Sequence, residues 1–246
     1  MYAFSKYVAA GNDFILIEGS PFSKEQIHFL CARPRGIGAD GMIFVSASSE
    51  ADCSMQFFNP DGSPASLCGN GVRAVVSFLY EKSPQKSYTI ATEAGIIEAY
   101  PLLKDKDLLF VVVKHPCFWQ NNALIEGREW FWINSGTDHF LTWVKEEEHI
   151  DLEQLYKQVE KHIYPYKANI NCLWYHAATR SLYIRTFEKG VEGETFSCGT
   201  GCAAAAFLFK KRYKEDYFSL IPRSGEKMEL ISSGEDWVKM AGPVHK

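Results

Sequence analysis

The stretch ETFSCGTGCAAAAF at residues 194–207 has a close counterpart in PASLCGNGVRAVVSFL at residues 64–79. Each contains a cysteine, a glycine, a small polar residue and a second glycine, followed by an apolar run that has the composition of a helix. The two cysteines, Cys68 and Cys198, are separated by slightly more than half of the 246 residues. Similarity between two halves of a chain indicates a duplication, in which each copy forms a comparable unit.

The segments before the two cysteines follow the same order. Ser23 begins an amphipathic pattern with Gln26 placed for a capping box, and Asp151 begins a second amphipathic pattern at nearly the same distance before its cysteine. Short segments rich in β-branched and aromatic residues follow each pattern and predict strands. The predicted strands cover residues 14–17, 42–45, 55–58, 88–90 and 108–113 in the first half, and 130–133, 139–144, 172–176 and 181–187 in the second.

The apolar runs after the cysteines predict two buried helices. In the first run, Val72, Val75, Val76 and Leu79 fall at helical spacing, and the second run is apolar on every side until Lys210. A helix that is apolar all round is a buried one.

We therefore predict an α+β fold with two pseudo-symmetric domains, each a mainly antiparallel curved sheet wrapped around a central buried helix. The predicted domains are residues 1–114 and 115–240, with a crossover at 114–122 and the active site in the cleft between the domains. A tail at 241–246 is expected to return toward the first domain.

Composition limits the class of protein. An apolar fraction of 46% and a charged fraction of 23% are typical of a globular protein, and a net charge of −4 argues against nucleic acid or an anionic membrane as a partner. The longest strongly apolar run, at 108–113, is too short to span a bilayer, and the first residues lack the pattern of a signal peptide. Seven cysteines, an odd number, indicate free thiols in a reducing compartment, so we expect the cytoplasm.

The two cysteine motifs suit proton transfer. A cysteine at the start of a buried helix lies at the positive end of the helix dipole, which is expected to lower the thiol pKa. The Gly-polar-Gly segment is expected to turn backbone N–H groups toward a carboxylate or phosphate. Such a pair could invert a stereocentre, because one thiolate removes a proton and the other thiol returns one. The alternative is that both cysteines are small buried residues in helix-start turns.

The other cysteines and motifs give weaker signals. Cys198 and Cys202 have the i, i+4 spacing of metal ligands, but no histidine or carboxylate cluster accompanies them, so no metal is expected. The GNG segment lacks the full glycine pattern of a dinucleotide site. Four further cysteines are expected in the core, namely Cys31, Cys53, Cys117 and Cys172.

Four segments resemble the diaminopimelate epimerase family, whose members interconvert LL- and meso-diaminopimelate without a cofactor. They are FSKYVAAGNDFILIE at 4–18, RPRGIGADG at 33–41, FNPDGSPASLCGNGVR at 58–73 and RTFEKGVEGETFSCGTG at 185–201. The resemblance covers almost the whole chain. It implies an isomerase that needs neither pyridoxal phosphate nor a metal, and that supplies lysine and peptidoglycan synthesis.

The resemblance also implies roles for individual residues. Cys68 and Cys198 would be the acid and base on opposite faces of the α-carbon, supported by His139 and Glu188. The residues expected to bind substrate are Asn12, Asn59, Gly69, Asn70, Asn169, Glu188, Lys189, Gly199 and Thr200. Within this set, the amides of the two helix-start segments would hold the reacting carboxylate.

The chain departs from the family pattern at three positions. Gly41 stands where the family has glutamine, Thr137 where it has asparagine, and Lys189 where it has arginine. We expect these positions to face substrate, so their replacement predicts looser specificity, including slow racemisation of glutamate. The last residues, WVKMAGPVHK, are expected to stop short of the family's final strand.

The alternatives to a diaminopimelate epimerase stay open at this point. They are a broader amino-acid racemase that is independent of pyridoxal phosphate and uses the same cysteines, for instance on glutamate, a thiol hydrolase with a Cys–His pair, and a binding module without catalysis. The expected partner is a small amino-acid substrate, with no nucleic acid and no membrane. The oligomeric state is left open, with a homodimer as one alternative.

Overall fold

The computed structural model of the protein describes residues 2–103, 109–146, 149–163, 168–232 and 237–246. The chain divides into two compact units, of which the first contains Met1–Lys114 with Ala241–Lys246 and the second contains His115–Met240. Within the described ranges, no helix is long and apolar enough to cross a membrane.

The first unit begins with a strand hairpin and contains two helices. Its elements in chain order are β1 (Ser5–Ala9), β2 (Asn12–Glu18), α1 (Lys24–Cys31), β3 (Gly41–Ser46), β4 (Cys53–Phe58), β5 (Pro64–Ala65), α2 (Gly69–Lys82), β6 (Tyr88–Thr92), β7 (Gly95–Leu103) and β8 (Leu109–Pro116). The predicted capping box of α1 is confirmed, because the amide of Gln26 donates to Ser23 Oγ at 3.3 Å and the amide of Ser23 donates to Gln26 Oε1 at 2.9 Å. Of the strand predicted at 108–113, position 108 lies outside the described residues.

The second unit repeats this order after one additional strand. Its elements are β9 (Phe118–Ile125), β10 (Arg128–Asn134), β11 (Asp138–Trp143), α3 (Leu152–Ile163), β12 (Asn169–His176), β13 (Ser181–Glu188), β14 (Gly193–Thr195), α4 (Gly199–Tyr213), β15 (Tyr217–Ile221), β16 (Met228–Ser232) and β17 (Trp237–Pro243). Helix α3 buries the apolar face that its sequence predicts, through Leu152, Leu155, Val159 and Ile163.

The strand pairings of the two units match step by step. In the first unit β1–β2 is antiparallel, β2–β3 parallel, β3–β4 antiparallel, β4–β6 parallel and β6–β7 antiparallel. The second unit has the same alternation of antiparallel and parallel pairs, in the order β10–β11, β11–β12, β12–β13, β13–β15 and β15–β16. This identity of topology supports the duplication inferred from the cysteine motifs.

The sheets are mainly antiparallel, as predicted, and each unit also contains two parallel pairs. Each of these four parallel pairs needs a crossover connection, and a helix supplies it. Helices α1 and α3 connect the first parallel pair of their units, and α2 and α4 connect the second. The predicted α+β architecture, with two sheet-rich halves, is confirmed.

The two helices that follow the cysteines are the buried ones. In α2 the residues from Gly69 to Phe78 are buried, and α2 packs on β1, β2, β4 and β7. In α4 the residues from Gly201 to Phe209 are buried, and α4 packs on β10–β13 and β16. Small side chains at Ala203–Ala206 allow the strands to approach this helix closely.

The division between the two units falls within the predicted crossover at 114–122. There β8 ends at Pro116, Cys117 is buried, and β9 begins at Phe118. The last residues contain the strand β17, and the pairing continues beyond it. The amide of Val8 donates to the carbonyl of His245 at 2.8 Å, and the amide of His245 donates back at 2.9 Å.

Candidate active site

Cys198 is the N-cap residue of α4 and has extended backbone angles. Its carbonyl accepts the first helical hydrogen bond, from the amide of Cys202 at 2.8 Å. A Cβ atom added at Gly201 would lie 2.9 Å from Asn171 Oδ1 and 3.3 Å from His139 Cε1. The second glycine of the motif is therefore required because the helix start approaches the sheet too closely for any side chain.

The Cys198 sulfur lies among polar groups although the residue is buried. Thr200 Oγ1 is 3.4 Å from Sγ, and the thiol also hydrogen-bonds to Glu188. Thr195 Oγ1 donates to Glu188 Oε1 at 2.6 Å, which holds the carboxylate in place. The second cysteine motif thus unites three of the residues that the resemblance implies, namely Cys198, Thr200 and Glu188.

The expectation of a lowered thiol pKa is wrong for Cys198. Burial raises its pKa well above the usual value, and the nearby Glu188 carboxylate raises it further, while the Thr200 hydroxyl acts in the opposite direction. Burial also raises the pKa of Glu188. The removal of water from this sulfur outweighs the helix dipole, so Cys198 is a protonated thiol in this structure.

His139 is the second residue of β11 and is fully buried. Its Nε2 is 3.0 Å from Thr200 Oγ1, and its Nδ1 is 3.0 Å from Asn171 Nδ2. Burial lowers the pKa of His139 to about 3, so the imidazole is neutral at physiological pH. His139 therefore contacts Cys198 through Thr200 and cannot contribute a positive charge.

Asn169 and Lys189 lie together beside this cluster. Asn169 is the strand neighbour of His139, and its Oδ1 accepts a hydrogen bond from the backbone amide of Lys189 at 3.1 Å. The Lys189 side chain lines a cavity of about 280 Å³. The other lining residues are Glu153, Tyr156, Lys157, Glu160, Phe187 and Glu192.

Thr137 lies in the turn between β10 and β11. Its carbonyl accepts from the amide of Ser135 at 3.1 Å, and Ser135 Oγ donates to the carbonyl of Thr200 at 2.7 Å. The turn is thus joined to the first turn of α4.

Cys68 is the N-cap residue of α2, in the equivalent place in the first unit. Its Sγ accepts a hydrogen bond from the amide of Gly71 at 3.3 Å. A Cβ atom at Gly71 would lie 2.9 Å from Met55 Cε and 3.2 Å from Ile43 Cδ1. These atoms are the ends of two flexible side chains, so the steric requirement for the second glycine is weaker at Gly71 than at Gly201.

Asn70 and Asn12 belong to a chain of polar contacts that starts from a buried cation. Arg73 Nη2 donates to Asn70 Oδ1 at 2.6 Å, and Asn70 Nδ2 donates to Asn12 Oδ1 at 2.7 Å. Asn12 Nδ2 lies 3.4 Å from a carboxylate oxygen of Asp40. Because a guanidinium can only donate, the orientation of both amides is fixed.

Asn59 and Gly41 differ in how they relate to the candidate site. Asn59 follows β4, and its Nδ2 donates to Ser63 Oγ at 3.0 Å within its own turn. A Cβ atom at Gly41 would lie 2.4 Å from Phe57 Cε2 and 3.0 Å from the carbonyl oxygen of Phe58. The expectation that Gly41 is a lost substrate contact is wrong, because this position faces the core.

Sequence reasoning missed three polar residues of the second unit, Asn171, Thr186 and Thr195. Asn171 and Thr186 lie inside strands of mainly apolar composition, and only the alternation of side chains along β12 and β13 could have placed them on the face of the buried helix. Thr195 ends the short polar strand β14. All seven cysteines are free thiols, and those expected in the core are buried. Within the described ranges, no three His, Cys, Asp or Glu side chains are grouped as a metal site requires.

The two units together define a class of protein in which a duplicated sheet-and-helix unit presents a cysteine at the start of each buried helix. Solved structures with the same fold include a PhzF-family phenazine biosynthesis protein from Bacillus anthracis, with a TM-score of 0.77 and 16% identity over 98% of this chain and 95% of that one. A probable proline racemase from Agrobacterium radiobacter has a TM-score of 0.75 and 15% identity over 100% of this chain and 91% of that one.

Sequence comparison identifies the family within this class. The diaminopimelate epimerase family model matches residues 4–112. A diaminopimelate epimerase from a Nitratiruptor species is 36% identical, covering 94% of this chain and 90% of that protein. One from Methanocella arvoryzae is 32% identical, covering 98% and 93%. The chain belongs to the diaminopimelate epimerase family, as its motifs predict, and the broader racemase is not favoured.

Proposed function

We propose that the protein is a diaminopimelate epimerase that interconverts LL- and meso-diaminopimelate by proton transfer at the α-carbon. Cys68 and Cys198 are the acid–base pair, and the reaction uses neither pyridoxal phosphate nor a metal. The observation that carries the proposal is that both cysteines are N-cap residues of buried helices, at topologically equivalent positions of a duplicated unit. If the two cysteines had only a structural role, there would be no reason for them to occupy equivalent positions in the two units.

The helix starts offer binding groups for the reacting carboxylate. The first amides of a helix have no intrahelical acceptor. In α2 the amide of Gly71 donates to the Cys68 sulfur and that of Val72 to the Cys68 carbonyl. This leaves the amides of Gly69 and Asn70 for an anion, and Gly199 and Thr200 are the equivalent pair in α4. Such donors stabilise the charge that develops on the carboxylate as the α-carbon loses its proton.

The proton balance of the reaction closes with two sulfurs. One thiolate takes the α-proton and becomes a thiol, and the electron pair of the broken C–H bond is delocalised into the carboxylate. The other thiol then gives its proton to the opposite face of the carbon and becomes a thiolate. Because burial and the Glu188 carboxylate keep Cys198 protonated here, Cys198 would be the donor in the direction that starts from this state.

Substrate contacts are proposed for Asn12, Asn59, Asn169 and Lys189. The Oδ1 atoms of Asn12 and Asn169 already accept hydrogen bonds within the protein. One hydrogen of the Asn12 amide nitrogen points at Asp40, so the donors proposed to face substrate are the second hydrogen of this nitrogen and the amide nitrogen of Asn169. Lys189 carries the charge expected opposite the distal carboxylate.

The experiment that tests the proposal is solvent exchange in deuterated water. The purified protein should interconvert the two diaminopimelate isomers and introduce deuterium at the α-carbon. Cys68→Ala and Cys198→Ala should each lower turnover by at least about 10²–10⁴-fold, since each removes a positioned acid or base. Cys31→Ala, at a buried thiol of α1, is the matched control and should retain activity.

Turnover that survives at the wild-type rate in either site variant would contradict the two-thiol mechanism. Activity that is lost when the protein is treated with a chelator or with hydroxylamine would contradict a cofactor-free reaction. We further propose that the reaction supplies lysine and peptidoglycan synthesis in the cytoplasm. Sedimentation of the purified protein would distinguish a homodimer from a monomer.

A further inference from the structure

Asn171 lies in β12 with its side chain fully buried against the start of α4. Its Nδ2 donates to the carbonyl oxygen of Phe140 at 3.3 Å, and Thr186 Oγ1 donates to its Oδ1 at 2.9 Å. A backbone carbonyl can only accept, so the nitrogen of the amide must face Phe140. The same nitrogen is 3.0 Å from His139 Nδ1.

This orientation fixes the tautomer of His139. An NH₂ group offers no lone pair to an imidazole N–H, so His139 Nδ1 must be the unprotonated nitrogen that accepts. The ring is neutral, and its single proton is therefore on Nε2. That proton is directed at Thr200 Oγ1, 3.0 Å away.

The hydroxyl of Thr200 is the last member of the chain. Because its oxygen accepts the proton of His139 Nε2, its own hydrogen is free to point at Cys198 Sγ, 3.4 Å away. When the Cys198 sulfur is a thiolate it has no proton, so the Thr200 hydroxyl must be the donor of the hydrogen bond between them. The hydrogen bonds then run in one direction from Asn171 through His139 and Thr200 to Cys198.

We propose that Asn171 is a positioning residue, which holds His139 in the Nε2–H tautomer so that the Thr200 hydroxyl donates to the Cys198 thiolate. The proposal rests on the function given above, because it assigns this donation to the state in which Cys198 has released its proton. Asn171 itself touches neither the sulfur nor the substrate.

The charged groups nearby do not reverse the direction of the hydrogen bonds from Asn171 to Cys198. Asp138 and Lys189 act on His139 with opposite signs, while Glu188 and Cys202 act on Cys198. None of them is the hydrogen-bond partner of His139 Nδ1. The buried amide of Asn171 is the partner that determines which ring nitrogen carries the proton.

Asn171→Asp tests the proposal, since aspartate has the shape of asparagine but only accepts when ionised. A carboxylate beside Nδ1 holds an imidazole in the Nδ1–H tautomer and leaves Nε2 to accept from a hydroxyl, as in serine hydrolases. The Thr200 hydroxyl would then turn from the sulfur to the ring. Long-range ¹H–¹⁵N correlation spectra of ¹⁵N-histidine protein at pH 8 report the tautomer directly, with His139 assigned by its absence from His139→Gln.

We expect the Nε2–H tautomer in the wild-type protein and Nδ1–H in Asn171→Asp. The variant should lose about 10- to 100-fold in kcat with little change in KM, which corresponds to one hydrogen bond to a charged group. Thr200→Val should keep the tautomer and lose kcat to the same extent, and Thr200→Ser should restore it. Ile170→Val, a buried change on the opposite face of β12, is the control for strand stability and should leave both measurements unchanged.

An Nδ1–H tautomer in the wild-type protein would overturn the proposal. An Asn171→Asp protein that loses activity while His139 keeps the Nε2–H tautomer would also overturn it, because Asn171 would then have only a structural role. An Asn171→Asp protein that changes the tautomer but keeps the wild-type kcat would overturn it as well. If the wild-type protein fails to epimerise diaminopimelate, the proposed function fails separately, and the tautomer spectra still decide this inference.

Discussion

Gly41 offers a sharp test of how tightly the first unit is packed. It begins β3, and a Cβ atom there would lie 2.4 Å from Cε2 and 2.7 Å from Cζ of Phe57, and 3.0 Å from the carbonyl oxygen of Phe58. The Phe57 ring packs edge-on against Phe14 with centroids 6.0 Å apart, so it has little room to move. Overpacking a well-packed core costs about 1–3 kcal/mol, and we expect Gly41→Ala to lie in the upper half of that range.

Urea denaturation provides the measurement, with the free energy of unfolding compared at constant m. Gly190→Ala is the control, because a Cβ atom there meets no atom within 4 Å, and its effect should be under about 1 kcal/mol. The second arm is a double-mutant cycle with Phe57→Leu. If the ring is the obstacle, the two substitutions together should cost less than the sum of the single costs, with a coupling of about 1 kcal/mol or more.

Additive costs in this cycle, or a Gly41→Ala protein as stable as the wild type, would refute the steric reasoning. The result also bears on specificity. If Gly41→Ala is destabilising for the reason given, Gly41→Gln cannot restore a substrate contact, and its main effect will be loss of folded protein.

Three further predictions follow from buried or capping groups. Burial lowers the pKa of His139 to about 3, so the unfolded chain binds a proton first as pH falls below about 6.5. The free energy of unfolding should therefore decrease by about 2 kcal/mol between pH 6.5 and 5. A His139→Gln protein whose free energy of unfolding, measured by urea titration, falls equally with pH would contradict this. Ser23→Ala should cost about 1 kcal/mol through loss of the α1 cap, and any change in kcat would be unexpected. Asn70→Ala removes the acceptor of a hydrogen bond from buried Arg73 and should cost about 1.5–3 kcal/mol, whereas an unchanged melting temperature would show that this contact is not stabilising.

The elements that could be predicted from sequence are those whose pattern reflects burial. The helices after Cys68 and Cys198 are apolar enough to be placed inside their sheets, and α3 has a clear apolar face. Strand β9 could not be found in this way. Seven of its eight residues are exposed, so its pairing with β10 depends on backbone hydrogen bonds that leave no hydrophobic period in the sequence.

The candidate site was predictable in part for a similar reason. The cysteines, glycines and Glu188 lie in motifs with a recognisable local pattern. The Asn171–His139–Thr200 chain joins three elements that are distant in sequence, and its direction depends on which atom of a buried amide faces a carbonyl. The thiol pKa of Cys198 also depends on desolvation, which the helix-start pattern alone does not reveal.

The return of residues 241–246 to the first unit affects the order in which the protein can be built on the ribosome. These residues emerge after the whole of the second unit, yet they hold the pairing of Val8 with His245 and the contact of Lys246 with Glu81. The first unit is translated first, but its strand edge at Val8 therefore stays unpaired while the second unit is synthesised. Late release of this segment makes nascent-chain folding the stage at which the first unit is most exposed to non-native strand pairing.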